Sequence, residues 1–370
     1  MRRMLFLMLI LALMSACAGA EEEFILEARG AVLIEAASGR VLFAHNEREM
    51  LPIASTTKVM TCLVALEHAS LSERVVASAN AHGTPGTSIF LSLGEALTME
   101  EMLYGLMLRS GNDAAIAIAE HVAGTEEAFA EMMNARAALI GADAHFVNAH
   151  GLDAEGHQAS ALAMAQILRA ALEIEDFARI SATERKIIPW HGNPYDRALV
   201  NKNRLLTSYE GATGGKTGFT TRAGRCLVFS AERDGIRLIG AVLNCPAWFD
   251  AAEWLLDYGY ENYQFEMLYG KGDVVAAVEV AGGRAREVHV IAAETLAFPL
   301  AHHEDYELAL DISDPVKAPV HAGDVAGYAV VYVGGEEIAK TALLYESDVP
   351  ANSMEAALRR LIGMWPLLAS

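Results

Sequence analysis

The sequence predicts a mixed α/β domain, then a small all-β domain, then an amphipathic terminal helix. Three observations carry this reading. Between residues 24 and 261, apolar strand patterns stand at both ends and helical periodicity fills the middle. From 264 to 349 the helical period disappears and short apolar runs alternate with glycine-rich turns. After Pro350 the 3.6-residue period returns.

Residues 1–20 read as a signal peptide. Arg2 and Arg3 precede the apolar stretch Leu5 to Met14, and Ala18-Gly19-Ala20 forms a small-residue cleavage site before Glu21. A retained membrane anchor and a lipid-modified Cys17 are the alternatives. The apolar stretch is short for an anchor, and Met14 stands where a lipoprotein signal carries leucine. Cleavage would leave Cys62, Cys226 and Cys245, three thiols that cannot all pair and that lack metal-ligand spacing.

Ala31–Glu35 and Val41–Ala44 form the first hairpin, turning at Ser38-Gly39. A helix follows over about Ser55 to His68, with Val59, Cys62, Leu63 and Leu66 on one face. Thr98 and Glu101 make a capping box that opens a helix whose apolar face is Met102, Leu103, Leu106 and Met107. Helical patterns continue at Asn112–Val122, Glu126–Ile140 and Ala161–Leu172. Arg225–Ala231 and Ile236–Leu243 are strands joined by Arg233-Asp234-Gly235, and Trp248–Tyr258 is again helical. The β domain offers Val274–Val280, Glu287–Ile291, Tyr306–Ile312, Tyr328–Val333 and Glu337–Leu344. In the tail, 351–370, Met354, Leu358, Leu361, Ile362 and Trp365 share one face, with Glu355, Arg359 and Arg360 off it. Such a helix either lies on a membrane surface or packs on its own protein.

Composition narrows the function. An apolar share of 53% with 21% charged residues supplies a packed core and excludes general disorder. A net charge of −20 argues against a nucleic-acid partner.

Three short motifs carry chemistry. Ser55 and Lys58 stand three residues apart at a helix start, so hydroxyl and amine meet, and a neutral lysine serves as base for a serine nucleophile. Ser110-Gly111-Asn112 lies between two helices, where Gly111 permits a sharp turn; Ser110 can pass a proton and Asn112 can accept from Lys58. Lys216-Thr217-Gly218 precedes a strand and offers a positive charge and a hydroxyl to a carboxylate, with Gly218 leaving room for a substrate backbone alongside. Each alone is a weak signal, and the first two read more readily as helix caps and a solvated lysine; the third reads also as a turn lysine.

In combination and in this order, the motifs resemble the low-molecular-mass penicillin-binding proteins that act as D-Ala-D-Ala carboxypeptidases. The resemblance extends over Pro52 to Lys58, Ser110 to Ala115, His150-Gly151-Leu152-Asp153 with Gly156-His157, and Asn201 to Leu206. It implies a transpeptidase/β-lactamase-like fold for 24–261 and a membrane-associating helix at 351–370. Ser55 would be acylated, with Lys58 its base. Ser110 and Asn112 would relay protons and position substrate, and Lys216 and Thr217 would bind the terminal carboxylate. The backbone N–H groups of Ser55 and Phe219 would form the oxyanion hole; some relatives carry histidine where Phe219 stands. The implied substrate is a peptidoglycan stem peptide ending in D-Ala-D-Ala, met outside the cytoplasmic membrane, with β-lactams as covalent inhibitors. No cofactor or metal is implied; His150, Asp153 and His157 lack the spacing of a His-Glu-x-x-His helix. A serine β-lactamase fits less well, because 151–216 contains no Glu-x-x-Leu-Asn segment. A D,D-endopeptidase would use the same chemistry. A non-catalytic wall-binding module would have no need of Ser55, Lys58, Asn112 and Lys216 together.

Overall fold

The computed structural model describes residues 25–352. The expected signal segment 1–20, Cys17 and all but the first two residues of the expected tail helix lie outside the described residues.

Strands β1 (Gly30–Glu35) and β2 (Val41–His45) open the fold. The helical layer follows: α1 (Lys58–His68), α2 (Met99–Leu108), α3 (Asn112–Ala123), α4 (Glu126–Ile140), α5 (Ala161–Leu172) and α6 (Glu175–Ser181). The chain then returns through β3 (Ala212–Thr220), β4 (Gly224–Arg233), β5 (Ile236–Leu243) and the helix α7 (Trp248–Asn262). One antiparallel sheet of order β2-β1-β5-β4-β3 joins both ends, with Val32 opposite Ala241 and Val228 opposite Lys216.

The central strands are apolar throughout because both faces are covered. In β4, Cys226 and Val228 enter the core beneath α1, while Leu227, Phe229 and Ala231 pack toward α7. Helix α1 runs through the middle of the larger core. Every side chain from Lys58 to Ala65 is buried, a wider surface than the single face that periodicity predicts. The expected helix start is also modified. Ala54–Thr57 form a 3-10 turn, and the α-helix begins only at Lys58. The capping box of Thr98 and Glu101 is formed as expected.

The second domain comprises β6 (Tyr263–Tyr269), β7 (Val274–Ala281), β8 (Glu287–Ala292), β9 (Leu296–Ala301), β10 (Tyr306–Ile312), β11 (Val316–Lys317), β12 (Val325–Val333) and β13 (Glu336–Tyr345). A six-stranded sheet of order β10-β12-β13-β8-β7-β11 stands beside the pair β6-β9. The core between them holds Val278, Val290, Phe298, Leu300 and Leu343. Arg40 ties the domains together through Glu304 at 2.6 Å and the carbonyl of Pro299. No described helix is long and apolar enough to cross a membrane.

Candidate active site

The site forms where the 3-10 turn meets the edge strand β3 and the α2–α3 junction. Ser55 sits on the turn, partly exposed. A 3-10 turn eclipses residues three apart, and the Ser55 Oγ lies 3.1 Å from the Lys58 Nζ. Ala54, just before the serine, has a φ of +47°, a left-handed conformation that a residue with a Cβ adopts only when held there.

Lys58 is 0% exposed. Its Nζ also meets the Asn112 Oδ1 at 2.8 Å and the carbonyl of His150. Burial holds its pKa well below the ordinary lysine value; the nearby Lys216 and Lys202 push it down further, and Asp113 opposes them. A neutral amine has two N–H groups and a lone pair. In that form the two fixed acceptors, Asn112 Oδ1 and the His150 carbonyl, would use the N–H groups and leave the lone pair for the Ser55 hydroxyl.

Ser110 follows Arg109, the C-cap of α2, with a φ of +65°, again left-handed. It is buried at the cavity wall, and among the described residues its hydroxyl has no hydrogen-bond partner. Asn112 donates from Nδ2 to the carbonyl of Pro85 at 2.7 Å, and Asp113 accepts from the Ser88 hydroxyl and the N–H groups of Ile89 and Leu91. These two residues therefore pin the segment 85–91 against the start of α3, which brings Thr87 to the cavity.

Strand β3 closes the other side. The cavity, about 280 Å³, is lined by Ser55, Thr87, Ser110, Lys202, Thr217, Gly218, Phe219 and Trp248. Strand alternation separates Lys216 from Thr217. Lys216 pairs with Val228 on the α1 face and is 1% exposed; its Nζ donates to the carbonyl of Thr217 at 2.8 Å. Thr217 reaches the cavity past the strand edge. The cation at the cavity wall is Lys202, with Lys216 behind it. Gly218, expected to leave room for a substrate backbone, lines the cavity and also leaves room for the protein's own turn: a Cβ there would stand 2.9 Å from the backbone nitrogens of Ser55 and Thr56. Phe219 follows with its ring largely exposed.

His150, Asp153 and His157 do not converge on one point. His150 Nδ1 accepts from the Leu152 N–H and its Nε2 lies 3.4 Å from Glu126; His157 contacts Thr57; Asp153 accepts from the Thr220 hydroxyl. What sequence reasoning missed is Thr87, Trp248, Lys202 and the His150 carbonyl. Lys202 lies inside the resembling stretch Asn201 to Leu206, but nothing in its local pattern separates it from a surface lysine.

Residues 17–247 match the family described as D-alanyl-D-alanine carboxypeptidase, and residues 263–351 match the one described as the C-terminal domain of penicillin-binding protein 5. The D-alanyl-D-alanine carboxypeptidase DacF of Bacillus subtilis is 33% identical over 351 residues, covering 92% of this chain and 90% of that protein. DacC of Escherichia coli is 30% identical over 343 residues, covering 87% and 84%. Among solved structures, penicillin-binding protein 5 of Haemophilus influenzae is similar with a TM-score of 0.76 at 26% identity, over 89% of this chain and 99% of that one.

Proposed function

The chain belongs to the serine D-alanyl-D-alanine carboxypeptidases of the low-molecular-mass penicillin-binding family, a transpeptidase-like domain followed by a β domain, and from that premise we propose how its residues divide the reaction. Ser55 attacks the carbonyl between the two terminal D-alanines as Lys58 takes its proton. The oxyanion forms between the N–H groups of Ser55 and Phe219. Ser110 passes a proton to the departing D-alanine nitrogen, and Asn112 holds Lys58. Water then releases the acyl group by the same steps in reverse order. The observation that best supports this reading is the wholly buried Lys58, placed at 3.1 Å from the Ser55 hydroxyl with both other contacts acceptors.

The terminal carboxylate meets the Thr217 hydroxyl at the wall, with Lys202 beside it and Lys216 behind. With its Nζ turned from the Thr217 carbonyl to the bound carboxylate, Lys216 would supply a charge-assisted hydrogen bond, so Lys216→Ala is expected to lower kcat/KM for a peptide ending in D-Ala-D-Ala on the order of a hundredfold and to remove most of the preference over the C-terminal amide. Release of D-alanine from the two peptides measures both. An unchanged preference would pass the clamp to Lys202. Burial, with Lys202 adding to it, pushes the Lys216 pKa down to about 7 in the free site. Its charge is present below that value and lost above it. So kcat/KM for the carboxylate peptide should decline above about pH 7, while kcat, measured with the carboxylate already bound, should hold to higher pH.

Cleavage after Ala20 and attachment to the extracytoplasmic face of the cell membrane through 351–370 complete the proposal. The apolar residues Met354, Leu358, Leu361, Ile362 and Trp365 beside two arginines support it. Deleting 351–370 should move the enzyme from the membrane to the soluble fraction with its peptide hydrolysis intact. Retention in the membrane pellet would put the anchor elsewhere.

A further inference from the structure

We propose that His157 is a positioning residue that aims the Ser55 N–H at the oxyanion, acting through the Thr57 hydroxyl and the carbonyl of Ala54. The inference rests on the reading of Ser55 as nucleophile and oxyanion donor.

The hydrogen-bond directions follow from the partners. The Val147 N–H donates to His157 Nδ1 at 3.0 Å, so that nitrogen carries no proton. The proton of the neutral ring is then on Nε2, which lies 2.8 Å from Thr57 Oγ1 and donates to it. Thr57 has one hydroxyl proton, and it goes to the Ala54 carbonyl at 2.8 Å. Burial, helped by His145 and opposed by Asp153, pushes the His157 pKa down to about 4, so the ring stays neutral where the enzyme works. Phe146 packs its edge against the ring at 5.9 Å and limits its rotation.

The carbonyl that this relay ends on belongs to the same peptide unit as the Ser55 N–H. A trans peptide is planar, with C=O and N–H pointing in opposite directions. Whatever anchors the Ala54 oxygen therefore sets the direction of the Ser55 hydrogen. Anchoring is needed here because Ala54 is left-handed, at a φ of +47°. The oxygen is also backed by Gly151, where a Cβ would stand 2.0 Å away. On the opposite side the Ser55 nitrogen faces β3 at Gly218. Removing an oxyanion donor outright costs about 10²–10³-fold in rate, so misaiming one costs less.

The test uses the full-length enzyme and a chromogenic cephalosporin, which acylates at the same carbonyl position. His157→Ala should slow the acylation step on the order of ten- to a hundredfold, with the affinity of the first, noncovalent complex changed less than about twofold. A boronic acid that becomes tetrahedral on Ser55 should lose affinity by the same factor as the rate. Thr57→Val should reproduce the loss, and the double variant should be no slower than either single one. His157→Gln keeps a donor for Thr57 and should recover most of the rate. The acid limb of the pH profile, set by Lys58, should stay in place in all of them. Acylation at the parent rate in folded His157→Ala, additive losses with Thr57→Val, or a moved acid limb would each overturn the inference. If His157→Ala does not fold, Thr57→Val and His157→Gln decide it: a full-rate Thr57→Val rejects the relay. An adduct outside Ser55 in the parent enzyme would instead reject the reading on which the relay rests.

Discussion

Ser55→Ala is expected to abolish D-alanine release, a loss on the order of 10⁶-fold in kcat, because a nucleophile removed from a covalent mechanism has no substitute within the site. The same variant should lose the covalent penicillin adduct. In the parent enzyme, a β-lactam presents a strained carbonyl to Ser55 and a carboxylate to the wall formed by Thr217 and Lys202. Opening the ring leaves the remainder of the drug attached, where it blocks incoming water. Intact-mass spectrometry should therefore find the whole mass of the drug on the protein, and peptide mapping should assign it to Ser55. That adduct should outlast the acyl-enzyme of a D-Ala-D-Ala peptide. Ser55 is partly exposed on its turn, so the variant should unfold within about 1 kcal/mol of the parent. Rapid turnover of penicillin would point to a β-lactamase. A folded protein that binds cell wall without an adduct would be a binding module.

Lys58→Ala should slow acylation by about 10²–10⁴-fold, the usual worth of a positioned general base. Its side chain is among the largest of those fully buried, so its removal also affects the fold, a consequence that the sequence alone does not suggest. It leaves a cavity and strands the Asn112 Oδ1 and the His150 carbonyl, which together should cost about 2–4 kcal/mol. Rates must accordingly be compared at a temperature where circular dichroism shows both proteins folded. Lys58→Arg separates charge from basicity: it fills the space and keeps the cation but does not release a proton at any working pH. It should be as inactive as the alanine variant. An active arginine variant would show that Lys58 acts as a fixed charge and that the base lies elsewhere. In the parent, activity should fall as pH drops through the lowered Lys58 pKa, because the amine is neutral above that value and an ammonium below it.

Much of this was readable from residue order. The capping box at Thr98 is a local hydrogen-bond pattern that needs only four residues, and it forms as expected. The apolar runs in β4 and β5 announce strands, and the strand-only region after 264 announces a separate sheet. The start of α1 was less legible. Ser55 to Lys58 fits a helical period, but the chain forms a tighter 3-10 turn there, packed against Gly218 of β3 and Gly151, two segments far along the chain where a side chain would collide with it.

The sequence by itself determined which groups are candidates for the chemistry: a serine with a lysine three residues on, a serine and asparagine at a helix junction, and a lysine and threonine on a strand. Their order also points to the family. Only the tertiary structure decided their states. The Lys58 pKa is held well below the ordinary lysine value because burial removes its water and because Lys216 and Lys202, about 150 residues away in the chain, stand close in space. Thr217 reaches the cavity wall while Lys216 turns behind it, since adjacent residues of a strand face opposite ways. His157 meets Thr57 across a hundred residues of sequence. Protonation and aim depend on solvent exclusion and on the direction of neighbouring dipoles, and both are properties of the packed site rather than of any one segment of chain.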